Sequence, residues 1–182
     1  AGPKDLIVCD SVAHNSVMIG ARLSGARRHL FPHNEITALE TFLAANRSRY
    51  RQVFIVVEGH YSMDGDVADL PALVRIRERY DAWLMVDEAH SVGVLGAKGY
   101  GIAEHCGVDP AAVDLWMGPL SKTLAGCGGY IAGSAELIDY LKLSVPGFVY
   151  SVAMPPAIAA AARVAIETME DEPWRIAALR AN

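Results

Sequence analysis

The chain repeatedly places a short, wholly apolar run before a longer stretch with helical spacing. The clearest run covers residues 53–57, where five consecutive residues are apolar and most are β-branched. Similar runs occur at residues 6–9, 30–31, 83–86, 115–117 and 130–132. Strands that are apolar throughout are usually covered on both faces. The pattern therefore predicts an α/β fold, with a mostly parallel sheet and helices on both of its faces.

Helical spacing and capping residues predict the segments between the strands. The predicted helices are one over residues 17–23, one opened by Asn34, one capped by Asp69, one capped by Ser134, and an Ala-rich helix that Pro155-Pro156 opens and that runs to about Met169.

Composition excludes several classes of protein. A formal net charge of −5 argues against a nucleic-acid-binding surface, which needs clustered Lys and Arg. Cys9, Cys106 and Cys127 are scattered and odd in number, so neither a disulfide framework nor a zinc site is predicted, and a reducing, cytoplasmic setting fits best. No apolar run reaches the roughly 18 residues of a membrane helix, and the start is not that of a signal peptide.

In folds of this type the functional site lies beyond the carboxyl ends of the strands. That rule selects the chemically active side chains that closely follow a predicted strand: Asp10, His14, Glu58, Ser62, Asp87, His90, Ser121 and Lys122.

Motif searches narrow the chemistry by elimination. The chain has no GxSxG elbow, no GxxxxGK[ST] loop, no GxGxxG after the first strand and no HExxH motif. Asp87 and His90 lack further ligands at metal spacing, so no metal site is expected.

Lys122 is one of only four lysines and the only one that falls between two strands, in an apolar neighbourhood flanked by small residues. A desolvated lysine loses part of its preference for the charged form and becomes a candidate amine nucleophile. The alternative is a surface lysine in a loop, and spacing alone leaves both interpretations open.

Asp87 closes a buried strand, where a carboxylate must be paired or strongly hydrogen-bonded. A helix cap or structural hydrogen bond would satisfy it equally well. A carboxylate and a lysine at neighbouring strand ends are, however, what pyridoxal phosphate (PLP) requires. The lysine binds the aldehyde as an imine, and the aspartate keeps the ring nitrogen protonated.

Several motifs resemble those of one family, in its order and across nearly the whole chain. They are residues 10–16 (DSVAHNS), His33-Asn34, residues 58–66 (EGHYSMDGD), residues 86–93 (VDEAHSVG), residues 96–101, Ser121-Lys122, Gly128-Gly129, and Tyr150-Ser151 with Pro155-Pro156. By these motifs the chain resembles the α-oxoamine synthases, which are fold-type I PLP enzymes.

The resemblance implies a fold and an activity. Residues 1–182 would form the PLP-binding core of an aspartate-aminotransferase-like large domain, without the family's N-terminal segment and small C-terminal domain. The activity would be a PLP-dependent acyl transfer. An amino acid condenses with an acyl-CoA or acyl-carrier-protein thioester, usually with loss of carbon dioxide, to give an α-amino ketone.

The resemblance also implies residue roles. Lys122 would bind the cofactor as a Schiff base and move protons at the substrate α-carbon, and Asp87 would pair with the ring nitrogen. His14 would stack on the ring, and His90 and Ser62 would bond its phenolic oxygen. The structural alternatives are a helix-start residue for His14, a helix N-terminal residue for His90 and a turn residue for Ser62.

Phosphate binding departs from the family pattern. Pro119 stands where relatives usually have a hydroxyl residue that helps to hold the phosphate, and Ser121 is the candidate that compensates for it. Ser151 belongs to a segment that in the family reaches the phosphate of the partner subunit, which implies a homodimer in the complete enzyme.

Two other functions stay open at this point. The chain could belong to another fold-type I enzyme, such as an aminotransferase or a lyase. It could also be an inactive, truncated fragment that binds the cofactor weakly.

Overall fold

The computed structural model describes residues 1–182 and contains a six-stranded sheet in the order β2-β1-β3-β4-β5-β6. The strands are β1 (Leu6–Asp10), β2 (Arg27–Phe31), β3 (Val53–Glu58), β4 (Trp83–Asp87), β5 (Leu115–Pro119) and β6 (Gly129–Gly133). The chain divides into two compact units, Ala1–Asp87 and Glu88–Asn182.

Eight α-helices connect or follow the strands. They are α1 (Asn15–Leu23), α2 (Ile36–Asn46), α3 (Leu70–Arg79), α4 (Ile102–Cys106), α5 (Ala135–Ser144), α6 (Pro146–Val149), α7 (Pro156–Asp171) and α8 (Trp174–Ala181). Short 3₁₀ turns lie at Arg47–Arg49 and Pro110–Ala112. No helix combines the length and the apolar composition that crossing a bilayer demands.

The first unit is a parallel sheet, as predicted. Strand β1 pairs in parallel with β2 and β3, and β3 pairs in parallel with β4. Every residue of β1 and five of the six residues of β3 are buried, which confirms that the interior strands are covered on both faces. Edge strand β2 is mostly exposed instead, because an edge strand has a neighbour on one side only.

Helices α2 and α3 bury apolar side chains in the core of the first unit, with Leu39 and Leu43 on α2 and Leu70, Leu73 and Ile76 on α3. The Asp69 carboxylate accepts a hydrogen bond from the Ala72 N–H and caps α3 as predicted. Asn34 does not open α2, which begins at Ile36. Its backbone has a φ of +53°, and its side chain binds Asp66 rather than the helix.

In the second unit, an apolar strand that the sequence predicts to be buried is exposed. Strands β5 and β6 pair antiparallel, and β6 has no buried residue although its centre is apolar. β6 is the other edge strand of the sheet, and the following helix α5 buries no side chain. Ser134 caps α5 as predicted, and the predicted Ala-rich helix is α7, which ends at Asp171 rather than near Met169. Helix α8 was not predicted; it buries Ile176.

Candidate functional site

Two carboxyl side chains lie side by side at the carboxyl ends of β3 and β4. Glu58 and Asp87 are register partners on adjacent parallel strands, and they are 2% and 4% exposed. Burial raises the pKa of Glu58; backbone hydrogen bonds from His14 and Ser62 oppose this, and the charge of Asp87 adds to it. The Oε1 atom of Glu58 is buried and has no hydrogen-bond partner in the chain. The carboxyl ends of β3 and β4 therefore carry two adjacent buried acidic side chains.

The Glu58 carboxyl group also links two loops, the one after β1 that carries His14 and the one after β3 that carries Ser62. Its Oε2 atom accepts a hydrogen bond from the Ser62 N–H at 3.4 Å, and the backbone N–H of His14 donates to the same carboxyl group. His14 follows β1 and Ser62 follows β3, so one buried side chain fixes the backbone of both.

His14 is the N-cap of α1. Its Nδ1 atom lies 2.8 Å from the Ser16 hydroxyl and accepts a hydrogen bond from the Ser16 N–H at 3.3 Å. Capping of the helix start is the structural alternative to the ring-stacking role that the family resemblance implies for His14. The ring is nevertheless exposed, so the same histidine can cap the helix and contact a ligand.

Ser62 lies in the tight turn that the SMDGD stretch forms. The turn is closed by hydrogen bonds from the Tyr61 N–H to the Asp66 carbonyl and from the Gly65 N–H to the Tyr61 carbonyl, both 2.9 Å long. Gly65 has a φ of +74°, a conformation that few other residues adopt easily. The turn leaves the Ser62 side chain exposed.

A histidine and two aspartates form a network behind these connections. His33 Nδ1 lies 2.9 Å from Asp10 Oδ1, and His33 Nε2 lies 2.9 Å from Asp66 Oδ2. The Asn34 N–H donates to Asp10 Oδ2, and the Asn34 side-chain amide donates to Asp66 Oδ2. Asp10, His33-Asn34 and Asp66 stand in the sequence motifs, but sequence reasoning assigned them no role. The signal that could have found them is the placement of Asp10 at the end of β1 and of His33 two residues after the neighbouring strand β2.

In the second unit, Lys122 lies in the connection between β5 and β6. Hydrogen bonds from the Leu120 N–H to the Gly128 carbonyl and from the Gly126 N–H to the Leu120 carbonyl close this connection. Lys122 is exposed, so the expected desolvation is not found in this chain. Leu120 and Leu124 take the buried positions and pack against Ala162, which leaves the residues between them outside the apolar cluster.

The turn that carries His90 contacts the turn that carries Lys122. The Thr123 hydroxyl donates a hydrogen bond to the Val92 carbonyl at 2.8 Å. Gly93 has a φ of +79°, and a Cβ atom there would lie 2.1 Å from the Thr123 methyl group. A glycine at position 93 thus permits the close approach that fixes Lys122 beside this turn. His90 is half-buried and lies in the turn itself, not at a helix N-terminus as its structural alternative assumed.

The two candidate phosphate ligands are exposed. Ser121 directly precedes Lys122, after Pro119 ends β5. Ser151 follows α6, and its hydroxyl donates a hydrogen bond to the Phe148 carbonyl at 3.0 Å. The structure thus groups His14, Ser62 and Asp87 around Glu58 in the first unit, and the turns of His90 and Lys122 in the second. No group of three or more His, Cys, Asp or Glu side chains is arranged to hold a metal ion.

Comparison with known proteins decides the family. The family model described as aminotransferase class I and II matches residues 1–182. The chain belongs to the class I and II aminotransferase family. The residues at the strand ends therefore lie in a fold that known enzymes share.

Individual members of the family are similar to this chain. It is 44% identical over 182 residues to an 8-amino-7-oxononanoate synthase of Methylococcus capsulatus, covering 100% of the chain and 46% of that relative. The Sphingomonas wittichii serine palmitoyltransferase structure matches with a TM-score of 0.87 and 32% identity, over 93% of this chain and 42% of that one. A serine palmitoyltransferase structure with a PLP internal aldimine matches with a TM-score of 0.86 and 27% identity, over 96% of this chain and 45% of that one.

These relatives confirm the resemblance to α-oxoamine synthases and the predicted fold class. The chain spans less than half the length of each of them.

Proposed function

We propose that this chain is the cofactor-binding core of a PLP-dependent acyltransferase, which condenses an amino acid with an acyl thioester to give an α-amino ketone. The 44% identity to an 8-amino-7-oxononanoate synthase and the fold shared with serine palmitoyltransferase support it. The acyl donor is a CoA or a carrier-protein thioester; its thiol leaves as the new carbon–carbon bond forms, and carbon dioxide leaves from the amino-acid carboxylate.

The observation that carries the proposal is the buried Asp87 carboxylate beside Glu58. Asp87 is 4% exposed and ends a strand, and a positive charge beside a buried carboxylate stabilises its ionised form. The protonated ring nitrogen of PLP is such a charge, so the chemistry of this strand end fits the cofactor. When bound, PLP supplies an aldehyde and an electron-accepting ring.

The other residues take roles that their positions allow. Lys122 offers an exposed amine on a turn anchored through Thr123, and it binds the aldehyde and transfers the proton of the substrate α-carbon. His14 stacks on the ring, and His90 and Ser62 donate to its phenolic oxygen. Ser121 and Ser151 bind phosphate, with Ser151 reaching the site of the partner subunit.

Absorbance spectroscopy tests cofactor binding. PLP added to the wild-type protein is expected to produce the visible band of a lysine imine. Lys122→Ala should abolish the band, whereas Lys98→Ala, which removes an exposed lysine from another turn, should keep it. Identical spectra for the wild type and Lys122→Ala would refute the assignment.

Product analysis of the complete enzyme tests the reaction. Release of carbon dioxide with an amino ketone, from an amino acid and an acyl thioester, supports the proposal. A keto acid product indicates an aminotransferase instead. If this chain alone gives the visible band but no product, it is a fragment that binds the cofactor and is inactive.

The complete enzyme is further proposed to be a cytoplasmic homodimer. Large exposed apolar side chains from the last turn of α5 to the start of α7 support a subunit contact, among them Leu143, Phe148, Tyr150 and Val152. A fully active monomer in sedimentation experiments would contradict the dimer. The scattered cysteines, all three unbridged, support the cytoplasmic setting.

A further inference from the structure

The hydrogen-bond geometry of His33 defines its charge. Both ring nitrogens lie 2.9 Å from carboxylate oxygens, Nδ1 from Asp10 and Nε2 from Asp66. Ionised carboxylates only accept hydrogen bonds, so both nitrogens must carry a proton to make both bonds. A neutral imidazole would instead direct a lone pair at one of the two carboxylates.

Two carboxylates and one phenol surround His33, and its positive charge stabilises the two carboxylates. Asp10 is fully buried, and the N–H groups of Val12 and Asn34 donate to its two oxygens at 3.0 and 2.9 Å. Asp66 Oδ2 also accepts from the Asn34 amide, and the Tyr61 ring meets the His33 ring edge-on at 4.5 Å. Asp10, Asp66 and Tyr61 are the titratable groups that face His33. Burial, followed by the charge of Asp10, raises the pKa of the Tyr61 phenol, which keeps it neutral.

The network connects the same two chain segments that Glu58 connects. Asp10 ends β1 four residues before His14, and Asp66 lies four residues after Ser62, in the turn that follows β3. Glu58 fixes the backbone of these segments at one point, and His33 fixes them at a second point. Two attachments restrain the rotation that a single attachment would allow.

We infer that His33 is a cationic positioning residue that clamps the β1–α1 connection to the β3–α3 connection, so that His14 and Ser62 are presented together to the cofactor. This inference rests on the proposed function for the role of His14 and Ser62. His33 itself touches no reacting atom. Without its charge, only neutral N–H donors, from Val12 and Asn34, compensate Asp10 and Asp66, and the two connections are held together less tightly.

The expected pH dependence follows from the same groups. Partial burial of the ring lowers the pKa of His33, but the hydrogen bonds and charges of Asp10 and Asp66 outweigh it, and the net shift is upward. A raised pKa means that the clamp is fully formed below the ordinary histidine pKa and is lost as the pH rises through the raised value.

Nitrogen-15 NMR of the histidine rings in the cofactor-free protein tests the charge. One imidazolium signal should persist to a higher pH than those of the exposed histidines. It should vanish in His33→Gln and remain in His29→Gln, where the ring stacks on Phe42 without a carboxylate. Asp66→Asn removes one negative charge at a partly exposed site and should move the His33 titration to lower pH. His33 titrating together with the exposed histidines would overturn the inference.

PLP titration tests the positioning role. His33→Gln should weaken PLP binding about tenfold, the effect typical of losing a residue that orients others from behind a site. In the wild type, affinity should fall at the pH where the His33 signal titrates, and His29→Gln should follow the wild-type profile. Unchanged affinity in His33→Gln would overturn the inference. A wild-type protein that does not bind PLP would overturn the proposed function, and the positioning role with it, whereas the NMR titration would still decide the charge.

Discussion

Strands β1 and β6 are both five residues long, yet every residue of β1 is buried and none of β6 is. The difference extends to the units that contain them. Residues 1–87 bury the side chains of α2 and α3 under a parallel sheet, whereas residues 88–182 leave Leu143, Tyr150 and Val152 at least 84% exposed. Apolar composition therefore does not decide burial by itself. A side chain is buried only where the chain supplies an element to cover it.

The largest expected effect contrasts one leucine from each unit. Leu84 in β4 is fully buried, so Leu84→Ala should lower the free energy of unfolding by about 2–5 kcal/mol. Leu143→Ala, in exposed helix α5, should change it by about 0.5 kcal/mol or less. Urea unfolding followed by circular dichroism measures both. Equal losses would show that α5 is covered in solution.

Ion pairs should show the same contrast on a smaller scale. Arg51 binds both oxygens of the buried Asp5 carboxylate, so Arg51→Ala should lower the free energy of unfolding more than Arg163→Ala does. The exposed pair of Arg163 with Glu167 should contribute about 0.2–1 kcal/mol at most.

The Asp5 pair also predicts an acid dependence. The hydrogen bond from Arg51 lowers the pKa of Asp5 from 3.8 to about 2. Its stabilisation is present above pH 3.8 and is lost as the pH falls towards 2, so the wild type and Asp5→Asn should converge there. Unfolding curves at several acid pH values measure this, and a constant difference would contradict it.

Removing a helix cap should give the smallest difference in unfolding free energy between the two units. Asp69→Ala should lower the free energy of unfolding by about 0.5–2 kcal/mol, because α3 packs four apolar residues into the core. Ser134→Ala removes an equivalent bond from α5, which buries no residue, so the loss should appear as local fraying rather than global unfolding. Hydrogen exchange of the α5 amides, compared with urea unfolding, separates the two. Equal global losses would contradict the contrast.

Local signals predicted most of the regular structure. The apolar run at residues 53–57 and the caps Asp69 and Ser134 depend on neighbouring residues only, and all three predictions are confirmed. Helix α8 was missed because no distinct capping or apolar signal marks its start, where Pro173 makes no side-chain cap.

Features that depend on distant parts of the chain were harder to predict. The exposure of β6 depends on its place at the sheet edge, and that of Lys122 depends on Leu120 and Leu124 taking the buried positions. The network of Asp10, His33 and Asp66 joins residues up to 56 positions apart, which no local pattern reveals. Strand-end placement did select Asp10, His14, Ser62 and Asp87 in advance. Their hydrogen-bond partners became visible only with the fold.

The most direct test of the central claim is chemical trapping of the cofactor. The protein is incubated with PLP, reduced with borohydride, digested and analysed by mass spectrometry, which locates the modified residue among only four lysines. We expect the pyridoxyl phosphate group on Lys122, and a much smaller yield after Asp87→Asn. Modification spread over Lys4, Lys98 and Lys142, or none at Lys122, would contradict it.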